Sequence, residues 1–114
     1  MSEMNSAKSK GDRAERDVVN FLDHNGINAR RIIAGAHDDI GDIEVDPDIV
    51  LEVKNRYKIE LPAYLTALQA QKGNKDAAFG VIAIKIRGKR NAEEWAYVID
   101  GASLVNLIRL VKRR

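Results

Sequence analysis

The sequence contains no cysteine and only two histidines, His24 and His37. The absence of cysteine excludes disulfide bonds and thiolate metal sites, and two histidines alone make a structural zinc site a poor expectation. Any metal ion bound by this chain is therefore expected to be held by oxygen ligands.

Long apolar segments are also missing. The longest nearly apolar run, Phe79 to Ile84, is far shorter than the roughly 20 residues that cross a bilayer. Residues Met1 to Ser9 are polar and small, and they lack the apolar core of a secretion signal. We therefore expect a soluble, cytoplasmic protein.

The composition is that of one ordinary globular domain: 114 residues, of which 45% are hydrophobic and 32% charged. The net charge of +2 says little about partners, but the basic residues form groups, as in proteins that contact nucleic acid. Ordinary solvated surface is the alternative for each group. The groups are Lys8, Lys10 and Arg13; Arg30 and Arg31; Lys85, Arg87, Lys89 and Arg90; and Lys112 to Arg114.

Hydrophobic periodicity predicts the element order αβββαββα in a single α/β (mixed α+β) domain. Residues 1–10 show no periodic pattern and are predicted to be a flexible arm, which leaves residues 11–114 as the folded domain. The first helix is predicted from Asp12 to the stop signal Asn25-Gly26. The other predicted elements are strands over 28–33, 42–45, 49–54, 79–86 and 95–99, and helices over 62–72 and around 104–111.

The candidate catalytic side chains lie in two segments, Gly41 to Ile43 and Leu51 to Lys54. Glu52 of the second segment follows Asp42 of the first by ten residues. Alternate side chains of a strand share a face, so Glu52 and Lys54 project together, away from their apolar neighbours. If the strands over 42–45 and 49–54 form a hairpin, Asp42 approaches this pair. Two carboxylates and a lysine would then converge at one point.

Such a group suits phosphodiester hydrolysis, in which a water must be activated beside a polyanion. Mg²⁺ is usually held by one or two protein carboxylates together with waters and phosphate oxygens. Asp42 and Glu52 fit that role, with Mn²⁺ expected to substitute, and Lys54 would orient or deprotonate the water or neutralise the transition state. The alternative is a surface ion pair, because Glu-x-Lys alone occurs often by chance.

Four segments resemble the Holliday-junction-resolvase-like endonucleases of archaea and phages, a branch of the PD-(D/E)xK nucleases. They are Lys10 to Glu15, Arg30-Arg31, Gly41 to Ile43 and Leu51 to Asn55, and the resemblance spans residues 10 to 110 in order and spacing. It implies a restriction-endonuclease-like central mixed β-sheet flanked by helices, and a homodimer that cuts two strands in a phage-host or prokaryotic cytoplasm. It also implies a metal site of Glu15, Asp42 and Glu52, with Lys54 as the fourth catalytic residue.

Some of these assignments have alternatives within the sequence. Glu15 would form a capping box if Asp12 were the N-cap of the first helix. Gln69 and Gln71 resemble polar positions that such nucleases bring beside the metal, although ordinary solvent exposure would also explain them. Trp95 is expected in the core rather than as a platform for stacking bases.

Two departures from the family pattern affect the site. Many relatives have a proline before the catalytic aspartate, and here Pro47 precedes Asp48, which makes Asp48 an alternative to Asp42. The serine found in the preceding loop of many relatives is missing from Gly35 to His37. His37 or the backbone would then contact the phosphate.

The sequence therefore predicts a Mg²⁺-dependent, structure-selective DNA endonuclease, a Holliday junction resolvase that leaves 5′-phosphate ends. Alternatives are a generic replication or repair nuclease with the same chemistry and a catalytically inactive nucleic-acid-binding module. A purely structural protein would show no salt-dependent affinity for DNA. The residues predicted to contact nucleic acid are Lys10, Arg13, Arg30, Arg31, His37, Lys85, Arg87, Lys89 and Arg90.

Overall fold

The computed structural model describes residues 3–33 and 39–114, which form three helices around a five-stranded sheet. The elements follow the order αβββαββα, as predicted. A 3-10 turn over Ala92–Glu94 precedes the last strand. The helices are α1 (Glu3–His24), α2 (Leu61–Lys75) and α3 (Gly101–Lys112), and the strands are β1 (Arg30–Arg31), β2 (Ile43–Glu44), β3 (Ile49–Lys54), β4 (Phe79–Ile84) and β5 (Ala96–Ile99).

The sheet is mixed, with strand order β1-β2-β3-β4-β5. β3 and β4 are parallel, with Glu52 opposite Ile82, and the other neighbouring pairs are antiparallel. Parallel neighbours require a crossover, which α2 provides between them. β2 and β3 form the hairpin that the sequence predicted, and the predicted fold class, a mixed sheet flanked by helices, is confirmed.

Helices cover both faces of the sheet. The α1 face is filled by Ala14 and Val18 of the helix together with Leu51 and Val53 of β3, and Trp95 joins this cluster as a core residue, as predicted. The opposite face is filled by residues of α2 and of the strands, namely Tyr64, Leu68, Val50, Ile82 and Ile84. Since Leu51 and Val53 turn towards α1, Glu52 must project towards α2.

Helix α1 is longer than the sequence predicted. It begins at Glu3 rather than at Asp12, so most of the segment 1–10, predicted to be a flexible arm, is helical. Once the buried turns around Ala14 and Val18 form, each added residue costs little, and the Glu, Ala and Lys residues of this segment favour a helix. The capping-box alternative is therefore wrong, because Asp12 lies inside the helix. Neither α1 nor another described helix is apolar enough to span a membrane.

Helix α3 presents polar side chains to the sheet and apolar ones to solvent. The Ser103 Oγ accepts a hydrogen bond from the Gly80 N–H at 2.8 Å, and the Asn106 Nδ2 donates to the Ala78 carbonyl at 2.9 Å. The apolar side chains of this helix therefore lie largely on the side away from the sheet. Those that remain 44–51% exposed are Leu104, Val105, Leu107, Ile108, Leu110 and Val111.

Candidate active site

Asp42 directly precedes β2 and is fixed by the backbone of β3. Its N–H donates to the Leu51 carbonyl at 3.0 Å, and its Oδ2 accepts from the Val53 N–H at 2.8 Å. Gly41 makes this close approach possible, because its φ is +107° and a Cβ there would lie 3.1 Å from the Leu51 oxygen. The glycine before Asp42 therefore sets the position of the carboxylate.

Glu52 lies beside Asp42 and is held by helix α2. Its side chain turns away from α1, and its Oε1 accepts a hydrogen bond from the Gln71 Nε2 at 2.8 Å. The same Gln71 nitrogen donates to the Asp39 Oδ2 at 2.8 Å. Gln71 is 3% exposed, so this predicted accessory residue belongs to the site. Asp39 was missed, since its approach depends on the path of the loop before β2.

The Asp42 and Glu52 carboxyl groups influence each other's pKa. Burial, and then the negative charge of Asp42, raises the pKa of Glu52 from 4.5 to about 8. Burial also raises the pKa of Asp42, although hydrogen bonds from the Val53 N–H and the Glu52 carboxyl oppose this rise. Glu52 is thus the member of the pair that holds the proton near neutral pH. At that pH the negative charge of the pair therefore lies on Asp42.

Lys54 supplies the nearest positive charge. Its Nζ lies 3.6 Å from the Glu52 Oε2, and the side chain is 26% exposed. The same ammonium lies 5.0 Å from the centre of the Tyr64 ring, which α2 contributes. A cation over an aromatic face is attracted to it, so Tyr64 helps to hold Lys54 beside the carboxyl pair.

Glu15 does not join the carboxyl pair. Its Oε1 accepts a hydrogen bond from the Arg31 Nε at 3.0 Å, and the Arg31 Nη2 also donates to the Asp12 Oδ1 at 2.7 Å. Burial, and then the Asp42 charge, raises the pKa of Glu15. Glu15 therefore lies near the pair but is bound to Arg31, which was predicted to contact DNA. The sequence could not reveal this ion pair, because it joins α1 to the edge strand β1.

Two of the alternative site residues lie elsewhere. The Asp48 Oδ1 accepts from the Ala78 N–H at 2.7 Å, so Asp48 ties the β2–β3 turn to the start of β4. Asp42, rather than Asp48, lies beside Glu52. The Gln69 Nε2 donates to the Asp100 Oδ2 at 2.6 Å, at the start of α3. Neither Asp48 nor Gln69 contacts the carboxyl pair.

A cleft of about 830 Å³ opens over the carboxyl pair. Glu15, Asp42, Glu52 and Lys54 line it, so all four predicted catalytic residues face one space. Its outer wall is the loop from β3 to α2, which was not predicted from the sequence to be part of the site. The loop's basic or aromatic residues carried no periodic signal. The lining residues beyond the predicted four are Lys10, Gly11, Val53, Asn55, Arg56, Tyr57, Lys58, Glu60 and Tyr64.

The other predicted DNA contacts have varied surroundings. Arg30 pairs with Glu44 at 3.2 Å, Lys85 lies over the Trp95 ring, and Arg87 lies over the Tyr57 ring. His37 lies outside the described residues. Arg13, Lys89 and Arg90 are exposed.

The donor set fits a hard divalent cation. Within 3–33 and 39–114 no three His, Cys, Asp or Glu side chains are grouped closely enough to hold a metal, and the assignment of Glu15 as a third ligand stays a prediction. Asp42 and Glu52 alone meet the need of Mg²⁺ for one or two protein carboxylates. The buried Oε1 of Gln71 has no hydrogen-bond partner among the described residues, and a hydrated ion would offer one.

Comparison with known proteins supports the fold. No protein-family model matches the sequence, and no curated protein is significantly similar to it. The structure is similar to that of Hjc from Archaeoglobus fulgidus, a Holliday junction resolvase from an archaeal hyperthermophile. The TM-score is 0.56 at 24% identity, over 79% of this chain and 72% of that chain. The predicted fold, a central mixed β-sheet flanked by helices, is confirmed, and Hjc shares it.

Proposed function

We propose that this chain is a divalent-metal-dependent DNA endonuclease. One observation carries the proposal: the carboxyl pair of half-buried Asp42 and buried Glu52, with the Lys54 Nζ 3.6 Å from the Glu52 Oε2, at the floor of an open cleft. Burying two adjacent carboxylates costs folding free energy, so a purely structural role is a poor explanation. Basic side chains at the cleft rim, including Lys10 and Arg56, suit a polyanionic substrate.

Each residue of the site has a separate role in the proposed reaction. Asp42 and Glu52 would hold Mg²⁺ or Mn²⁺, with Gln71 fixing the direction of the Glu52 carboxylate. The bound ion would supply a water of lowered pKa and neutralise charge on the phosphate. The Lys54 ammonium either orients the attacking water, and takes its proton if it first loses its own, or neutralises charge in the transition state. Attack of water on phosphorus would leave 5′-phosphate ends.

The proposed substrate is a four-way DNA junction, in keeping with the function named for the Hjc of similar fold. Resolution of a junction requires two symmetric cuts, which a homodimer could make with one site in each copy. The apolar outer face of α3, with Leu107 and Ile108 half exposed, supports association of two copies. A phage-host or prokaryotic cytoplasm would be the compartment.

The first experiment tests the carboxyl pair. Asp42→Asn and Glu52→Gln are expected to lower the rate of junction cutting in Mg²⁺ by a factor of 100 or more, because both remove a proposed metal ligand. Binding of the labelled junction, measured by fluorescence anisotropy, should persist. Asp76→Asn and Glu94→Gln are matched exposed controls that should cut normally. Unchanged cutting by Asp42→Asn and Glu52→Gln would move the active site elsewhere.

A second experiment separates the junction resolvase from a generic replication or repair nuclease. Wild-type chain is incubated with four-way junctions, flaps and linear duplex at equal concentration. Preference for the junction supports the resolvase, whereas equal rates on all three substrates would remove that specificity and leave only the nuclease.

The binding of Glu15 to Arg31 favours one further candidate, a nucleic-acid-binding module without activity, because that contact keeps Glu15 from the carboxyl pair. This candidate binds all the substrates of the second experiment and cuts none of them in Mg²⁺ or Mn²⁺. If the wild type cuts any of these substrates and Asp42→Asn abolishes that cutting, the inactive binding module is excluded.

A further inference from the structure

Tyr57 is an exposed aromatic residue at the rim of the cleft. It lies in the loop between β3 and α2, and 76% of the residue is accessible to solvent. The ring belongs to neither of the two core clusters on the faces of the sheet. Packing of the fold therefore does not explain this tyrosine.

Cationic side chains from two other parts of the chain lie against the ring. The guanidinium carbon of Arg87, from the turn after β4, lies 3.7 Å from the ring centre. The Lys10 ammonium, from α1, lies 5.5 Å from it. The Asn55 Nδ2 also donates to the Lys10 carbonyl at 3.4 Å, which ties the loop to α1. Tyr57 is thus an aromatic surface with positive charge on its borders.

The ring is close to the proposed chemistry. Tyr57 follows Lys54 by three residues, and both residues line the cleft. Three residues of extended chain span at most about 11 Å. A DNA strand advances about 3.4 Å per nucleotide, so this span corresponds to about three nucleotides. A base near the cut phosphate could therefore reach the ring.

We propose that Tyr57, backed by Arg87, is a stacking platform for an unpaired nucleobase within about three nucleotides of the cut phosphate. Aromatic and guanidinium planes stack on bases of any sequence, while a nearby ammonium such as that of Lys10 takes a backbone phosphate. Bases inside a regular duplex cannot reach such a ring. The platform therefore favours DNA with an unstacked base, as at a branch point. The inference rests on the proposed nuclease function for the position of the cut.

The test is a double-mutant cycle that combines a substitution in the protein with the removal of one base from the DNA. Wild type, Tyr57→Leu and Tyr57→Phe are each titrated in EDTA against a labelled four-way junction and against junctions with one abasic site. The abasic site is placed in turn at each nucleotide around the branch point, so that the scan does not depend on a known cut position. Tyr57→Leu should weaken binding to the intact junction by roughly 5- to 150-fold, the range for one base–aromatic stack, while Tyr57→Phe keeps wild-type affinity.

At one abasic position the affinity of the wild type should fall by a similar factor. At that position Tyr57→Leu should not weaken binding any further. An equal loss from Tyr57→Leu on intact and on all abasic junctions would overturn the platform, as would a loss from Tyr57→Phe as large as that from Tyr57→Leu. Thermal melts verify that the variants fold. Wild-type cutting in Mg²⁺ is measured separately on the intact junction. If the wild type cuts the junction but the effect of Tyr57→Leu is the same at every abasic position, only the stacking platform is refuted. If the effect of Tyr57→Leu disappears at one abasic position but the wild type does not cut, only the proposed nuclease activity is refuted.

Discussion

At the scale of single residues, Glu52 links the charge of the candidate active site to the stability of the fold. Burial, and then the Asp42 charge, raises its pKa from 4.5 to about 8, so the folded chain keeps a proton that the unfolded chain releases. This stabilising contribution is fully present below pH 4.5 and is lost as the pH rises through 8. Each pKa unit corresponds to about 1.4 kcal/mol, so a few kcal/mol is the upper bound.

Urea unfolding in EDTA at a series of pH values measures this effect. Because other groups also titrate, the informative quantity is the free energy of unfolding of wild type minus that of Glu52→Gln. This difference should fall steadily from about pH 5 to about pH 8. Glu94→Gln, at an exposed position, should show no such trend. A difference that stays constant with pH would mean that Glu52 is ionised across this range.

The same proton should compete with a metal ion. A cation that binds Asp42 and Glu52 must displace the proton, so Mg²⁺ should stabilise the folded chain more at pH 8 than at pH 6. A concentration ten times the Kd adds about 1.4 kcal/mol to the free energy of unfolding, which is several degrees in Tm for a domain of this size.

Thermal unfolding with Mg²⁺ and with EDTA gives the shift. Asp42→Asn should abolish it, and Asp76→Asn, at an exposed left-handed position that asparagine tolerates, should keep it. Equal shifts for both variants would show that Mg²⁺ binds elsewhere on the chain.

At the scale of elements, Asp100 joins α3 to α2. Its Oδ1 accepts from the Ser103 N–H as the N-cap of α3, and its Oδ2 accepts from the Lys72 Nζ at 2.8 Å. Burial alone would raise the pKa of Asp100, but hydrogen bonds from Lys72, Ser103 and Gln69 hold it well below the usual value. The resulting stability is present above the unfolded pKa near 4 and is lost as the pH falls towards the folded pKa.

Two substitutions separate the roles of Asp100. Asp100→Ala removes the cap and leaves the Lys72 ammonium unpaired and mostly buried, so it should lower the free energy of unfolding by about 3 kcal/mol. Asp100→Ser keeps a capping oxygen and should recover about 1 kcal/mol of that loss. Chemical denaturation measures both values. Equal stability of the two variants would mean that the cap contributes nothing.

The helices, strands and carboxyl pair could be predicted because they depend on local patterns. Alternation along β3 set the common face of Glu52 and Lys54, and the hairpin of β2 and β3 brought Asp42 beside them. The partner of Glu15 and the surroundings of Tyr57 depend on contacts between elements distant in sequence. Spacing alone does not encode these contacts. The predicted start of α1 was wrong for a related reason, since extension of a helix depends on the packing of its later turns.

At the scale of the whole molecule, opposite charges are separated although the net charge is only +2. Acidic residues form the floor of the cleft, and basic residues, Arg56 among them, lie at its rim.

Each phosphate neutralised by a basic side chain contributes about −0.9 to the slope of log affinity against log salt. Arg56→Gln should therefore make the slope less negative by about 1, as measured by anisotropy titrations across salt concentrations. Lys112→Gln, away from the cleft, should leave it unchanged, and an unchanged slope for Arg56→Gln would place the DNA path elsewhere.

The outer surface of α3 determines whether the molecule acts alone. Its polar side, with Ser103 and Asn106, contacts β4, so its half-exposed apolar side has no partner within the described chain. Burial of one large aliphatic side chain contributes about 1.5–3 kcal/mol, and several such residues on each copy are enough for a stable pair. We therefore expect a homodimer that packs α3 against α3.

Sedimentation velocity over the micromolar range should detect this dimer. Leu107→Glu and Ile108→Glu should each produce monomers, because a charge would be buried without a partner. Arg109→Gln changes the same helix without altering its apolar residues and should remain dimeric. Since a lone copy has one carboxyl pair, the monomeric variants should nick a junction without completing the second, symmetric cut. A wild-type chain that sediments only as a monomer would exclude this assembly, and paired cutting would then require two independent encounters with the DNA.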